Sequence, residues 1–367
     1  RAGERRLREL MSVRGSGVGE TGDRSATAAC SRDLCARVRP VPGAVPGEVR
    51  DGHECLGHGR VWAPRADARP ASEAPDADLP PALQALLDKA WEARRAAFGD
   101  AIEWVNPVRT AVLSVTGTAC ALGCAHCGGH YLKHMIPIDR WPEVAADEGV
   151  KSCLVSGGCD LRGRVPVAAH MDALTELAAR FRLNLHLGLA DEADVARLAA
   201  LRPVVSFDLV ADDATVREVY GLDRPAADFV STYSLLRRYV RVVPHVCIGL
   251  RGGEPSGELE ALQALARLGA DAIIFIVFVP TPGTRYASRK PPALEKAVEV
   301  IARARLMFPE TPIYLGCMRP RGAYREALDA LAVRAGVNRI VVPSPRARGE
   351  AESLGLSAKW REECCAL

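Results

Sequence analysis

The chain has 367 residues, 48% of them hydrophobic, and a net charge of +3, so it can bury one large core or two smaller ones. Its basic residues are scattered, which argues against nucleic-acid binding. No apolar stretch approaches the length of a membrane span and no secretory signal opens the sequence, so we expect a cytoplasmic protein without membrane contact. Twelve cysteines then favour metal or redox chemistry over disulfide bonds.

The first 79 residues differ in composition from the rest of the chain. They contain no Lys, Ile, Phe or Tyr and many Gly, Pro, Ala and Arg. Such a segment buries too little apolar surface to offset the entropy lost on ordering, so we predict a disordered extension over residues 1–79. A zinc site at irregular spacing is the alternative for its five potential ligands. These are Cys30, Cys35, Cys55, His53 and His58.

From Pro80 the sequence takes on helical and strand periodicity. Residues 80–99 have helical apolar spacing, beginning at Pro and ending at Gly. Short apolar runs then alternate with segments of helical spacing. The runs begin at residues 111, 151, 184, 204, 242, 272, 312 and 339. Eight strands separated by helices predict an α/β fold with a parallel sheet, and their number favours a (β/α)8 TIM-type barrel over residues 80–345. We predict that residues 346–367 form a C-terminal helix and a short tail that carries cysteines.

Three cysteines follow the first predicted strand directly, in the spacing C-x3-C-x2-C. They are Cys120, Cys124 and Cys127. In a barrel of this type the chemistry lies at the C-terminal ends of the strands. Three thiolates on a tight loop can hold three irons of a four-iron cluster and leave the fourth iron without a protein ligand. The competing metal is zinc, which needs four ligands and for which His126 or His130 is a candidate fourth.

A C-x3-C-x2-C loop after the first strand of a β/α barrel resembles the radical S-adenosylmethionine (radical SAM) enzymes. The resemblance spans about residues 105–345. It implies a [4Fe–4S] cluster on the three cysteines, with the amino and carboxylate groups of S-adenosylmethionine on the open iron. It also implies reductive cleavage of S-adenosylmethionine to a 5′-deoxyadenosyl radical, and an electron donor such as ferredoxin or flavodoxin.

Segments at the ends of later strands lie where this family binds its cofactor. The sequence SGG after the second strand resembles the segment that offers backbone groups to the methionyl amine, with an ordinary turn as the alternative. The aspartate after the fourth strand resembles the residue that binds the ribose hydroxyls, with a helix N-cap as the alternative. The ends of the fifth and sixth strands resemble segments that flank adenine. The candidate cofactor-binding residues are therefore Ser156, Gly157, Gly158, Asp208, Gly249 and Pro280.

The late segment 314–344 resembles the biotin-synthase-like branch, in which sulfur is inserted with the help of a second, sacrificial iron–sulfur cluster. In biotin synthase an arginine reaches that cluster, and Arg319 is the matching residue. Cys153 and Cys247 fall where that enzyme has two of its cluster cysteines, although the third strand lacks the expected one. Burial as small core residues is the alternative for both.

The tail offers a different ligand set for a second cluster. Cys317 ends the seventh strand, and a tail folded over the barrel mouth would bring Cys364 and Cys365 to it, with Cys159 close by. Two exposed thiols on a polar tail would oxidise readily and add nothing structural. We therefore expect Cys317, Cys364 and Cys365 to be ligands of the second cluster.

The overall pattern resembles one subunit of the two-protein lipoyl synthase system. The resemblance implies sulfur insertion at an unactivated carbon of a carrier-protein-bound octanoyl chain, with a second radical SAM subunit as partner. One alternative is a single-cluster radical SAM enzyme, such as a mutase, methyltransferase or cofactor-maturation protein, acting on a small molecule. A zinc or iron–sulfur carrier protein is the non-enzymatic alternative, and the adenine- and ribose-facing segments disfavour it.

Overall fold

The computed structural model describes residues 79–367, in which strands alternate with helices. The strands are β1 (Ala101–Val105), β2 (Thr110–Ser114), β3 (Ile136–Pro137), β4 (Ser152–Ser156), β5 (Arg182–Leu187), β6 (Val204–Asp208), β7 (Arg241–Ile248), β8 (Ile273–Val277), β9 (Ile313–Leu315), β10 (Arg339–Val341) and β11 (Ser357–Arg361). The predicted disordered extension and its candidate zinc ligands lie outside the described residues. Those ligands are Cys30, Cys35, Cys55, His53 and His58.

Helix α1 precedes the strands and the other helices fall between them, as the sequence predicts for crossover connections. They are α1 (Pro81–Phe98), α2 (Trp141–Ala145), α3 (Met171–Ala178), α4 (Glu192–Ala199), α5 (Asp213–Thr215), α6 (Ala227–Arg237), α7 (Glu258–Leu268), α8 (Leu294–Met307), α9 (Ala323–Arg334) and α10 (Pro345–Ser353). Short 3-10 turns cover His130–His134, Ile138–Arg140 and Val167–His170, and a π-helical turn covers Val216–Tyr220. Helix α1 begins after Pro80 and ends at Gly99, whose φ of +60° favours glycine. The predicted first helix is confirmed.

The strands form one parallel sheet in the order β11-β1-β10-β9-β8-β7-β6-β5-β4-β2-β3. The eight predicted strands correspond to β2 and to β4 through β10, and the predicted α/β fold of TIM-barrel type is confirmed. Strands β1 and β2 are separated only by residues 106–109, and β1 pairs with β10 while β2 pairs with β4. The segment from β1 to β2 therefore joins the last strand of the eight-strand series, β10, to the first, β2. Strands β1, β3 and β11 were not predicted.

Side chains alternate along each strand between the helices outside and the barrel interior, because strand side chains have a period of two. In β5, Leu183 and Leu185 are buried in the main core, whereas Asn184 and His186 occupy the opposite face. Each fully buried leucine side chain contributes about 1.5–3 kcal/mol to folding. The outward face therefore holds the helices, and the inward face is left to carry polar groups.

The residues that follow β11 enter the barrel from the N-terminal ends of the strands. The backbone N–H of Cys364 donates to Oγ1 of Thr110 at the start of β2 (2.8 Å), and Glu363 pairs with Arg182 at the start of β5 (2.5 Å). Cys365 is buried in an apolar interior cluster. That cluster comprises Val105, Val243, Ala272, Ile274, Tyr314, Val341, Cys365 and Ala366.

This placement corrects the expectation that the tail folds over the barrel mouth. Strand β11 pairs with β1, and the backbone N–H of Arg109 donates to the carbonyl of Glu362 (2.9 Å). The chain therefore leaves β11 beside the start of β2, at the end of the barrel opposite the cysteine triplet. Within residues 79–367, no helix has both the length and the apolar character needed to cross a membrane.

Candidate functional site

The cysteine triplet lies in the loop after β2, at the C-terminal end of that strand. Gly123, Gly128 and Gly129 have φ values of +56°, +49° and +75°, a region that side chains disfavour. The middle of the loop is held from two sides. The N–H of Ala125 donates to the carbonyl of Val219 (2.7 Å), and the carbonyl of Ala125 accepts from the N–H of Tyr286 (3.0 Å). The loop is therefore tightly wound and anchored around the three thiols.

The thiols of the triplet act on one another. Cys124 is buried, and its thiol donates a hydrogen bond to the sulfur of Cys127, which lowers the pKa of Cys127 and raises that of Cys124. Burial raises the pKa of Cys124 further, and the charges of Cys159 and Cys120 act in the same direction. The charges of three other cysteines thus act on the thiol of Cys124. Soft thiolate donors on a glycine-rich loop fit an iron–sulfur cluster.

Within the part of the chain that the structure describes, no group of three or more His, Cys, Asp or Glu side chains is positioned to hold a metal ion. The zinc alternative needs four ligands around one ion. Ligands of a four-iron cluster bind different irons, with the cluster itself between them, so they do not need to converge on one point.

The segment Ser156–Gly158 packs directly against the triplet loop. The N–H of Gly158 donates to Oγ1 of Thr116 (2.7 Å), and the carbonyl of Cys159 accepts from the N–H of Ala121 (2.8 Å). A Cβ on Gly158 would lie 2.6 Å from the Cα of Cys120, closer than two carbon atoms approach. The second glycine of the predicted motif is therefore required for contact with the first cysteine.

The other two residues of that segment face different neighbours. A Cβ on Gly157 would lie 2.9 Å from Cγ2 of Val115, so a larger residue here would displace that side chain. Ser156 is buried, and its hydroxyl donates to the carbonyl of His186 (3.0 Å). The segment is thus fixed on one side by the triplet loop and on the other by β5.

Asp208 ends β6 with its side chain toward the barrel interior, where it meets His186. Oδ1 of Asp208 lies 3.4 Å from Nε2 of His186, and the two side chains remain 38% and 34% exposed. Burial alone would raise the pKa of Asp208, but the charge and hydrogen bond of His186 outweigh it and lower that pKa to about 2. Burial lowers the pKa of the neighbouring His245 to about 4, against the opposing charge of Asp208. The interior therefore holds an ionised carboxylate beside accessible polar surface.

The adenine-flanking candidates lie after β7 and β8. The N–H of Gly249 donates to Oε1 of Glu258 (2.7 Å), so this amide is used at the start of α7. Pro280 directly precedes Thr281, whose hydroxyl forms a hydrogen bond with the hydroxyl of Tyr131 (2.9 Å). The loop after β8 is thereby joined to the loop that carries the triplet.

Comparison with curated proteins gives two informative relatives. Biotin synthase of Ruthia magnifica subsp. Calyptogena magnifica is 33% identical over 131 residues, 34% of this chain and only 40% of that protein. Biotin synthase of Anaeromyxobacter sp. (strain Fw109-5) is 25% identical over 281 residues, 71% of this chain and 73% of that protein. No protein-family profile matches this chain.

Comparison with solved structures agrees at the level of fold. Methylornithine synthase (PylB) is 15% identical with a TM-score of 0.56, covering 76% of this chain and 90% of that one. The [FeFe]-hydrogenase maturase HydG from Carboxydothermus hydrogenoformans is 16% identical with a TM-score of 0.55, covering 76% and 72%. The chain is similar to radical SAM enzymes of the biotin-synthase-like branch.

Two of the candidate second-cluster residues, Cys364 and Cys365, lie at the apolar interior cluster of the barrel. Sγ of Cys364 accepts a hydrogen bond from Nδ2 of Asn184 (3.2 Å), and the thiols of Cys364 and Cys365 are hydrogen-bonded to each other. Cys317 is exposed after β9, yet close enough for its charge to raise the pKa of Cys365. The structure therefore brings the two tail cysteines together, whereas Cys159 follows the segment that packs against the triplet loop.

The expected role of Arg319 in contacting a second cluster is wrong. Its side chain is fully buried, and it donates to both carboxylate oxygens of Asp329 (2.6 and 2.8 Å) and to the carbonyls of Gly316 and Val341 (2.6 and 2.9 Å). These bonds hold Arg319 against α9, outside the barrel interior. The sequence could not show which partner a buried arginine would find.

The sequence left two roles open for Cys153 and Cys247, ligand of a second cluster or small core residue, and the structure places the two cysteines differently. Cys153 is completely buried in the main core between strands and helices, as the structural alternative predicts. Cys247 is partly exposed and shares an inward face of β7 with His245. Only Cys247 of this pair has access to the interior.

Sequence reasoning identified Asp208 but missed the other residues of the polar wall of the barrel interior. This wall, as we use the term, comprises Asn184, His186, Ser206, Asp208 and His245. Register pairs His186 with Ser206 on β5 and β6, and Asp208 with His245 on β6 and β7. The sequence does contain a pattern that could have indicated these residues. Polar residues alternate with apolar ones along these strands, which indicates a polar face toward the interior.

Proposed function

We propose that this protein is a radical SAM enzyme that reductively cleaves S-adenosylmethionine, with a [4Fe–4S] cluster on Cys120, Cys124 and Cys127. The contact between Gly158 and Cys120 carries the proposal, because it joins the cluster loop to the segment proposed to meet the methionyl amine. When bound, the reduced cluster supplies the electron that splits S-adenosylmethionine into methionine and a 5′-deoxyadenosyl radical. The similarity to biotin synthases supports the same assignment.

The residues of this chain would bind and orient the cofactor. Ser156–Gly158 offers backbone groups to the methionyl end, and the carboxylate of Asp208 accepts hydrogen bonds from the ribose hydroxyls. The hydrogen bond between Tyr131 and Thr281 joins two loops at the same end of the barrel. Ferredoxin or flavodoxin is the proposed electron donor.

The test compares the wild-type chain with a Cys120→Ala/Cys124→Ala/Cys127→Ala variant after anaerobic reconstitution. Iron, acid-labile sulfide and dithionite-dependent 5′-deoxyadenosine are measured. We expect the variant to lose about four irons per chain and all cleavage. Cys153→Ala is the matched control, since this thiol is buried in the core. Cleavage by the triple variant would show that the cluster assignment is wrong.

For the reaction that follows, we propose sulfur insertion into an unactivated C–H bond of a carrier-protein-bound acyl chain, together with a second radical SAM subunit. A second iron–sulfur cluster on Cys317, Cys364 and Cys365 would supply the sulfur. The contact between the two tail thiols inside the barrel and the similarity to biotin synthases support this proposal. We expect about eight irons in the wild type and about four when these three cysteines are replaced by Ala.

A second candidate is a single-cluster radical SAM enzyme that acts on a polar small molecule. The polar wall favours it, because the exposed surface of His186 and Asp208 would lose water against an acyl chain without gaining a new hydrogen-bond partner. This candidate expects about four irons in the wild type and unchanged iron after replacement of the three later cysteines. The same iron measurement therefore distinguishes the two candidates.

A further inference from the structure

One side chain of the polar wall lies between the two halves of the proposed cofactor site. His186 on β5 has Asp208 of β6 on one side, with 3.4 Å from Nε2 to Oδ1, and Ser156 of β4 on the other, with 3.5 Å from Nδ1 to Oγ. Ser156 belongs to the segment proposed for the methionyl end and Asp208 to the ribose end. The imidazole is thus the physical link between these two positions.

The hydrogen-bond directions fix the ring of His186. The hydroxyl of Ser156 donates its one proton to the carbonyl of His186, so toward the Nδ1 atom Oγ can only accept. Asp208 is ionised and can also only accept. Both ring nitrogens of His186 therefore act as donors, and the pKa of His186 is raised because Asp208 outweighs the effect of burial.

The same contacts leave part of Asp208 available for a ligand. His186 occupies Oδ1, and with 38% of the side chain exposed the carboxylate keeps surface toward the interior. His245 is in register with Asp208, but Nδ1 of His245 is directed to the carbonyl of Val243 (3.2 Å), and burial lowers the pKa of His245 to about 4. His245 therefore does not duplicate the donor role of His186.

We propose that His186 is a positioning residue that holds the carboxylate of Asp208 in the orientation that receives the ribose hydroxyls, and that it couples this orientation to Ser156. The inference rests on the proposed function. A carboxylate with one oxygen held has fewer orientations to lose when a diol binds, so pre-orientation increases affinity for the ribose. Adenosine derivatives that lack the ribose hydroxyls gain no affinity from this pre-orientation of Asp208.

The test measures binding of two probes, adenosine and 2′,3′-dideoxyadenosine, to the anaerobically reconstituted protein by isothermal titration calorimetry. We expect the wild type to prefer adenosine by about tenfold or more, because a site built for hydroxyls is left unpaired by the deoxy analogue. His186→Ala should reduce this preference by less than Asp208→Ala does, because the carboxylate remains, and the double variant should lose no more than Asp208→Ala alone. Glu299→Gln, on the surface of α8, is the control.

The conservative variant keeps the test decisive if His186→Ala does not fold. The amide of His186→Gln can still donate one hydrogen bond, so it should retain part of the preference, while Ser156→Ala should weaken it without removing it. An unchanged preference in folded His186→Gln and Ser156→Ala would overturn the inference and leave the proposed function intact. A wild type that cleaves S-adenosylmethionine yet binds both probes equally would also overturn the inference. If the wild type does not cleave S-adenosylmethionine at all, the proposed function itself is refuted.

Discussion

Asn184 donates a hydrogen bond from its side-chain Nδ2 to the sulfur of Cys364 over 3.2 Å, joining β5 to a residue 180 positions later in the chain. The amide is oriented by Ser206, whose hydroxyl donates to Oδ1 of Asn184 (2.9 Å). Because its oxygen is already engaged, Asn184 must present its N–H to the sulfur. The tail is therefore fastened to the polar wall through a directed contact.

Replacing Asn184 by Ala should release the tail. The change leaves Ser206 and Cys364 without their partner inside the barrel, at a cost of about 1–3 kcal/mol in the free energy of unfolding. Urea denaturation measures that cost, and hydrogen–deuterium exchange of residues 362–367 should become faster. Ser353→Ala, which removes an exposed hydroxyl, is the control and should change neither. Equal exchange in both variants would mean that other contacts hold the tail.

Replacing Gly158 by Ala should disrupt the cluster site. The new Cβ would lie 2.6 Å from the Cα of Cys120, so the triplet loop must move. We expect a large loss of iron after reconstitution. Gly349→Ala is the matched control, because no atom lies within 4 Å of its Cβ and the helical position should gain up to about 1 kcal/mol. Full iron content in Gly158→Ala would contradict the close contact.

Removing one partner of the buried pair of Arg319 and Asp329 should be among the most destabilising single changes. Asp329→Ala leaves a buried guanidinium without its carboxylate, and we expect a loss of about 3–5 kcal/mol in the free energy of unfolding. Glu299→Ala breaks ion pairs at the surface and should cost about 1 kcal/mol or less. Similar losses in the two variants by chemical denaturation would refute this difference.

His245 should make the protein less stable in mild acid. Burial lowers its pKa to about 4, whereas an unfolded histidine has a pKa of about 6.5. The unfolded chain therefore binds the proton first, and the free energy of unfolding falls as pH decreases from about 6.5 to about 4. His245→Gln should remove this part of the slope. Denaturation curves between pH 4 and 8 provide the measurement, and an unchanged slope would contradict the assignment.

His186 should act in the opposite direction. Its pKa is raised in the folded state because Asp208 outweighs burial, so its stabilising contribution is complete below about pH 6.5 and is lost as pH rises through the folded pKa. His186→Gln should therefore lower the free energy of unfolding at pH 6 more than at pH 8. Equal losses at the two pH values would indicate that the imidazole is neutral in the fold.

Much of the barrel could be predicted because its strands and helices carry strong periodicity. The triplet could be predicted as well, because its spacing alone indicates a cluster loop. Strand β11 could not, since all its residues are exposed and it lacks apolar alternation. The entry of Cys364 and Cys365 from the N-terminal side depends on the pairing of β11 with β1, which no local pattern indicates.

The polar contacts between elements could not be predicted, because the pattern within one segment does not show which other segment packs against it. The meeting of His186 with Asp208 depends on the register of β5 and β6, and a shift of one residue would turn either side chain to the outside. The partner of Arg319 was misjudged for a related reason, since α9 brings Asp329 to it from a separate segment. The spacing of residues along the chain thus predicts ligands that lie on one loop, but it does not predict contacts between separate strands and helices.

The pairing of β1 with β10 and β11 has a consequence for how the chain folds. Glu103 forms ion pairs with Arg339 and Arg361, residues 236 and 258 positions later. Such contacts require closure of very long loops. The entropy cost of that closure must be met before the seam, that is the pairing of β1 with β10 and β11, can form. The strands from β4 to β8 pair with near neighbours and can assemble earlier. The seam is thus expected to be the slow, final step, and until it forms, the interior that would shield a radical stays open to water.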